Sequence, residues 1–376
     1  MAKAMQSDAA TTGSMAPALR LTIRTVRARA VDVCIKQPAV TAAGTFASFP
    51  VVLIDLDTEE GVFGRTYIFA YERFALKPLV LLVEAMGDVL RGQRLHPLAV
   101  ESFLQRRMRL LGGQGLVGMA LGGVDMVMWD AAARAADVPL AVLLGAAPRP
   151  IPAYGTLKNM TADGAARDAG AAVARGFAGV KVKIGGSTID ADVAVIEAIR
   201  REVGPRIAIM VDYNQVLSVP EAIARGRVLD GQQVTWIEEP TLARDFEGHA
   251  EIARNVATPI SVGESWEGVP DAMRSMACRA SDFIMPDAMR IGGVTGWLRT
   301  AALAEAHGVP LSGHALPELS LHLLAATPTA HWLEYADIVE AILQQPLTLR
   351  DGCAVLPEGP GFGLEWDEKA VSAMLA

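Results

Sequence analysis

The sequence predicts an α/β chain: a (β/α)8-type barrel behind an α+β segment. Three observations carry this. Eight short apolar runs follow Pro152, helix-sized alanine-rich stretches separate them, and nearly every run ends in a polar or ionisable residue. Runs this continuous in Val, Ile and Met suit a parallel sheet buried on both faces, and charged groups at the carboxyl ends of barrel strands converge on one mouth.

The first twenty residues lack the continuous apolar core of a secretory leader and are expected to form a mobile tail on a cytoplasmic protein. From Leu21 to Asp57, β-branched alternation in LTIRTVRARAVDV and FPVVLIDLDT reads as a hairpin whose tip is the small-residue stretch TAAGTFAS. Between Arg73 and about Ala146, ALKPLVLLVEAMGDVL and MALGGVDMVMWDAAARAA repeat apolar residues at helical spacing. The uncharged run Leu110–Val124 is broken by glycines and Gln114, and no membrane span is expected. The eight barrel runs are PAYGTL, FAGVKVKIG, IAIMVDYNQ, VTWIEEP, PISVGES, DFIMPDA, VPLSGHA and HWLEY. The domains expected are therefore 21–150 as an α+β unit, 151–346 as the barrel, and 347–376 as a strand, turn and short helix returning to the first unit.

With 51% hydrophobic and 20% charged residues, the 376-residue chain is far from disordered composition. A net charge of −8 argues against nucleic-acid or anionic-membrane partners, which need a clustered basic surface. Cys34, Cys278 and Cys353 are too scattered for a disulfide framework or a thiolate zinc site. Gly113–Gly118 matches GxGxxG but follows a helical stretch instead of a strand, so it reads as loop and small-residue packing. Arg106, Arg107 and Arg109 read as a solvated face, and His96, His249, His307, His322 and His331 receive no role.

The chemistry lies at the run ends. Asp212, Glu238 and Glu264 fall on consecutive strands, about 4.8 Å apart, where three carboxylates repel unless a cation sits among them. Each alone reads as a helix cap or a surface ion pair. Together, an all-oxygen set favours a hard ion such as Mg²⁺, with Mn²⁺ as a substitute. Lys181 and Lys183 are two apart and share the inward face, so mutual repulsion and desolvation are expected to lower the pKa of one and make it a general base. The bland alternative is a snorkelling pair at a strand edge. His314 lies across the mouth, with Asp287 one strand earlier placed to hold its other ring nitrogen. Glu334 follows two large apolar residues; either it stays protonated and donates to a developing oxyanion, or it forms a rim salt bridge.

These strings, VKVKIG, IMVDYNQ, TWIEEPT, MPDAMRIGGVTGW and LLAATPTAHWLE, together with FPVVLIDLDT, YIFAY and VDMVMWDA, resemble the enolase superfamily and within it the mandelate racemase subgroup over about residues 21–376. The resemblance implies a (β/α)7β TIM-type barrel with an α+β capping domain. It implies Mg²⁺ on Asp212, Glu238 and Glu264, and bases at Lys183 and at His314 with Asp287. It further implies Lys181 on the substrate carboxylate, Asn214 near the metal and hydroxyl, and Glu334 as hydrogen-bond donor. Substrate contacts are implied for Thr156, Phe46 and Tyr71 as well. Thr156 keeps a hydroxyl where the subgroup has a serine-bearing stretch, Phe46 is bulkier than the usual valine, and Ala336 is smaller than expected. The activity implied is abstraction of the C2 proton of a 2-hydroxy carboxylate through an enediolate, ending in racemisation of an acid with an aromatic or other apolar side chain. Acid-sugar dehydration with the same residues is the alternative, and a non-catalytic binding barrel the remote one. A homo-oligomer is expected by analogy.

Overall fold

A computed structural model describes residues 20–41 and 44–376; the expected tail lies almost wholly outside them, as does Ala43 at the hairpin tip. The chain opens with β1 (Ile23–Thr41) and β2 (Gly44–Thr58), the hairpin the alternation predicts, and adds β3 (Phe63–Phe69) antiparallel to β2. This third strand had no separate signal, because FGRTYIF is too short to show its period. Helices α1 (Arg73–Leu90), α2 (Pro97–Arg107) and α3 (Gly115–Ala135) follow, with a single turn α4 (Leu140–Leu143). Helix α3 is long and apolar enough to cross a membrane, but it is the buried central helix of the cap. Its closeness to the sheet depends on glycine: a Cβ on Gly64 would meet Val127 O at 2.3 Å, and one on Gly123 would meet the Ile54 and Ile68 side chains.

The eight runs form eight parallel strands, in order β4 (Ile151–Thr156), β5 (Gly179–Lys183), β6 (Ala208–Asp212), β7 (Trp236–Glu238), β8 (Ile260–Val262), β9 (Phe283–Ile284), β10 (Leu311–Gly313) and β11 (Ala330–Tyr335). Pairing of β11 with β4 closes the barrel. Between them run α5 (Ala162–Ala174), α6 (Ile189–Val203), α7 (Val219–Leu229), α8 (Phe246–Asn255), α9 (Val269–Ala277), α10 (Gly293–His307) and α11 (Pro317–Ala325). No helix of that size follows β11, so the architecture is (β/α)7β. Local caps start several of these helices: the Thr161, Thr188 and Asp245 side chains accept from backbone N–H groups in the first turns of α5, α6 and α8.

After β11 the chain forms the hairpin β12 (Thr348–Arg350) and β13 (Cys353–Val355), which adds antiparallel to β4 at the barrel's lower edge. The last residues reach the cap: Phe362 N donates to Asp130, Arg134 pairs with Asp130 and Glu365, Arg29 pairs with Glu368, and Asp32 N donates to Met374 O near α12 (Glu368–Ala373). The terminal segment thus divides, hairpin to barrel and tail to cap.

Candidate active site

Period two along a strand stacks the barrel interior in layers. Tyr154, Met210 and Trp236 are fully buried and, with Trp332, make an apolar floor. Two residues further along the same strands stand Thr156, Asp212, Glu238 and Glu334. Above them opens a cavity of about 720 Å³, lined among others by Thr156, Lys181, Lys183, Asp212, Asn214, Glu264, His314 and Glu334. The cap supplies Phe49, Phe69 and Tyr71 as an aromatic wall; Phe69 and Tyr71 have ring centres 4.5 Å apart. The side chain of Phe46, and Ala43, lie outside the described residues.

Asp212, Glu238 and Glu264 each offer an oxygen within 4.8 Å of the others. Burial raises the Asp212 and Glu238 carboxyls above their usual range. Burial acts the same way on Glu264, but His314, Lys181 and Lys183 outweigh it and hold that carboxyl low. Three carboxylates at this distance, two buried and Glu264 half-buried, with no His or Cys among them, fit a hard divalent cation. Trp236 Nε1 donates to Glu238 at 3.0 Å, and Asn214 grips both oxygens of Asp212 through its backbone N–H (2.7 Å) and Nδ2 (2.9 Å).

Both lysines enter the cavity, as the spacing requires. Lys181 lies 2.6 Å from Glu238 and 2.9 Å from Glu334, while Lys183 is 3.9 Å from Asp212. Burial works against the Lys181 charge, yet the carboxylates prevail and its pKa stands well above that of a free lysine. The lowered value expected for one of the pair therefore does not fall on Lys181, which is a fixed cation.

His314 Nδ1 lies 2.8 Å from Asp287 Oδ2, so the dyad is formed; Nε2 faces Glu264 at 3.2 Å. Burial opposes the imidazolium, but Glu264, Glu334 and Asp287 raise His314 to about 10. Of the two readings of Glu334, the geometry favours an ion pair, here with buried Lys181 and not with a rim cation. Its surroundings all donate: Thr156 Oγ1 at 2.6 Å, Ala315 N at 3.0 Å and Lys181. Burial favours its neutral form, but Lys181 and His314 outweigh that and keep the carboxyl ionised. The apolar neighbour Trp332 points to the floor, not the mouth.

Several cavity residues escaped sequence reasoning. Lys158 pairs with Asp337 at 3.0 Å and Arg244 pairs with Glu267 at the wall. Arg290 lies 5.5 Å from the Tyr71 ring. Glu239 is buried beside the carboxylate trio with one oxygen unpartnered, its other accepting from Ser265. The second glutamate of IEEP and the arginine of MRIGG were the available signals. Of ten non-glycine residues with positive φ among those described, four line this cavity: Tyr71, Asn214, Gln215 and Ala315. Strain of this kind gathers where side chains are held for function. In the GxGxxG segment Gly115 opens α3 and its N–H donates to Glu267 Oε1 at 2.9 Å, while Gly118 packs closely on Gly113.

Residues 164–370 match the family described as enolase C-terminal domain-like, and residues 23–145 match the mandelate racemase / muconate lactonizing enzyme N-terminal domain. The chain belongs to the enolase superfamily. An enolase from Bradyrhizobium, complexed with magnesium and mandelic acid, is 43% identical, covering 95% of this chain and 99% of its own with TM-score 0.90. L-talarate/galactarate dehydratase of Salmonella typhimurium is 34% identical over 69% of this chain and 66% of its own length. L-talarate dehydratase from Polaromonas sp. JS666, complexed with Mg and L-glucarate, is 29% identical with TM-score 0.89, covering 95% and 98%. The relatives of this superfamily enzyme thus include dehydratases and an enolase that holds mandelic acid.

Proposed function

We propose that this chain is a Mg²⁺-dependent 2-hydroxy-acid racemase acting on acids with an aromatic or other apolar side chain, mandelate among them. One observation carries the reading: Lys183, at the end of β5, and His314, just past β10 and held by Asp287, enter one cavity whose outer wall is Phe49, Phe69 and Tyr71. Around the closed barrel, β5 and β10 stand three strand steps apart, so the two bases approach a substrate from different sides. The similarity to an enolase holding magnesium and mandelic acid supports the same reading.

A proton beside a carboxylate is hardly acidic, so the site must stabilise the enediolate dianion. Mg²⁺ held by Asp212, Glu238 and Glu264 would supply Lewis-acid stabilisation of that charge. Lys181, fixed as a cation, would meet the substrate carboxylate, and Thr156 and Asn214 would orient its oxygens. Lys183 would take the C2 proton of one enantiomer while protonated His314 delivers one to the opposite face, and the two would exchange roles for the other enantiomer. Glu334 would hold Lys181, the Thr156 hydroxyl and Ala315 N in register.

The second reading is acid-sugar dehydration, favoured by the dehydratase relatives and by the Lys158–Asp337 and Arg244–Glu267 pairs, which give a polyhydroxy chain polar partners. Proton NMR in D₂O with Mg²⁺ separates them. Loss of the C2 proton signal of mandelate-like acids without a new product supports racemisation; a 2-keto product from sugar acids overturns it in favour of dehydration.

A further inference from the structure

The cap reaches the catalytic dyad from behind. Helix α10 starts after Gly292, which has no side chain to cap it, and its first-turn N–H groups need a partner. That partner comes from the other domain. Asp125 of α3, buried at 2% exposure, accepts from Thr295 N at 2.9 Å and from Thr295 Oγ1 at 2.6 Å. Trp129 Nε1, one turn on, donates to the same hydroxyl at 3.0 Å. A carboxylate at a helix N-terminus also meets the positive end of the dipole.

Contact is backbone-close on both sides. A Cβ on Gly293 would fall 2.4 Å from Asp125 Oδ2, and one on Gly122 would fall 2.2 Å from Met289 O. Between Asp287 and Gly293 the chain is one tight turn, with Ile291 N donating to Asp287 O (2.9 Å), Gly293 N to Ala288 O (2.8 Å) and Met289 N to Asp287 Oδ1 (2.8 Å). The other oxygen of Asp287 holds His314. Lys183 stands on β5 beside Asp212, outside this run of bonds.

We propose that Asp125 is a positioning residue which, through Thr295 and the 287–293 turn, sets Asp287 and hence the His314 imidazole, leaving Lys183 unaffected. The inference rests on the two-base reading above. Proton transfer is steep in distance, and displacing a partner behind a catalytic histidine costs about 10- to 100-fold.

The test uses the full chain with Mg²⁺ and the variants Asp125→Asn, Thr295→Val and Thr295→Ser. Lys183→Ala and His314→Asn assign each enantiomer's C2 exchange to a base. In Asp125→Asn and Thr295→Val, exchange on the His314 face should fall about 10- to 100-fold and that on the Lys183 face stay within about threefold, with Thr295→Ser close to the parent. The hydrogen-bonded His314 Nδ1 proton should shift or vanish in ¹H NMR of the same variants. Equal losses on both faces, or an unmoved resonance with unchanged exchange, would overturn the proposal. If Asp125→Asn does not fold, Thr295→Val decides. Should the parent exchange no 2-hydroxy acid, the functional reading fails while the Nδ1 resonance still judges the positioning.

Discussion

The floor and the mouth of the barrel are built from the same strands, two residues apart, and do opposite work. In the lower layer Tyr154 packs edge to face on Trp236 and Trp332, with Met210 buried beside them; Thr156, Asp212, Glu238 and Glu334 stand directly above. The lower layer holds aromatic surface away from water. The upper layer concentrates three carboxylates and, beside them, two lysines that, without one another and a cation, would be costly to bury. The lesson is that the floor underwrites the mouth: Tyr154 lies under the Lys181 ammonium at 5.6 Å, and Trp236 donates to Glu238.

The contrast breaks most sharply at the two bases. Lys183→Ala and His314→Asn should each cut racemisation by about 10²- to 10⁴-fold while each retains exchange of one enantiomer, with little change in melting temperature; chiral chromatography and NMR read both. In the floor, Trp236→Ala should cost about 3–5 kcal/mol in denaturant unfolding, whereas Trp236→Phe keeps most of the packing and weakens metal binding by removing the donor to Glu238. Metal sharpens the mouth alone. Mg²⁺ at a hundred times its dissociation constant should stabilise the parent by about 2.7 kcal/mol, an increment that EDTA or Glu264→Gln removes in calorimetry.

The smallest effect is in the floor and depends on pH. His331 packs against Trp236, Phe283 and Trp332, and burial lowers it to about 4. A histidine held neutral when folded and charged when unfolded contributes stability above about pH 6.5 that is lost as pH falls towards 4. His331→Gln should flatten that part of the stability profile in urea titrations; an unchanged slope would place the pH response elsewhere.

Much of this was legible in the chain. The βα rhythm after Pro152, the lysines two apart and the ligands one strand apart follow from local periodicity, and the closed eight-stranded barrel agrees with them. Strand β3 was not legible, since seven residues flanked by a turn carry too little pattern. Nor was the charge state of Glu334: its sequence neighbours are apolar, but Thr156 and Lys181, more than 150 residues away, surround it with donors.

The sequence by itself determined the secondary structure of the barrel and which side chains face its axis, because strand and helix periods act over a few residues. Only the tertiary structure decided which charges pair, that the cap contributes an aromatic wall, and that Asp125 caps a helix in the other domain. Those are energies of approach between distant segments, and in a buried site they vary over ångströms that no local pattern encodes.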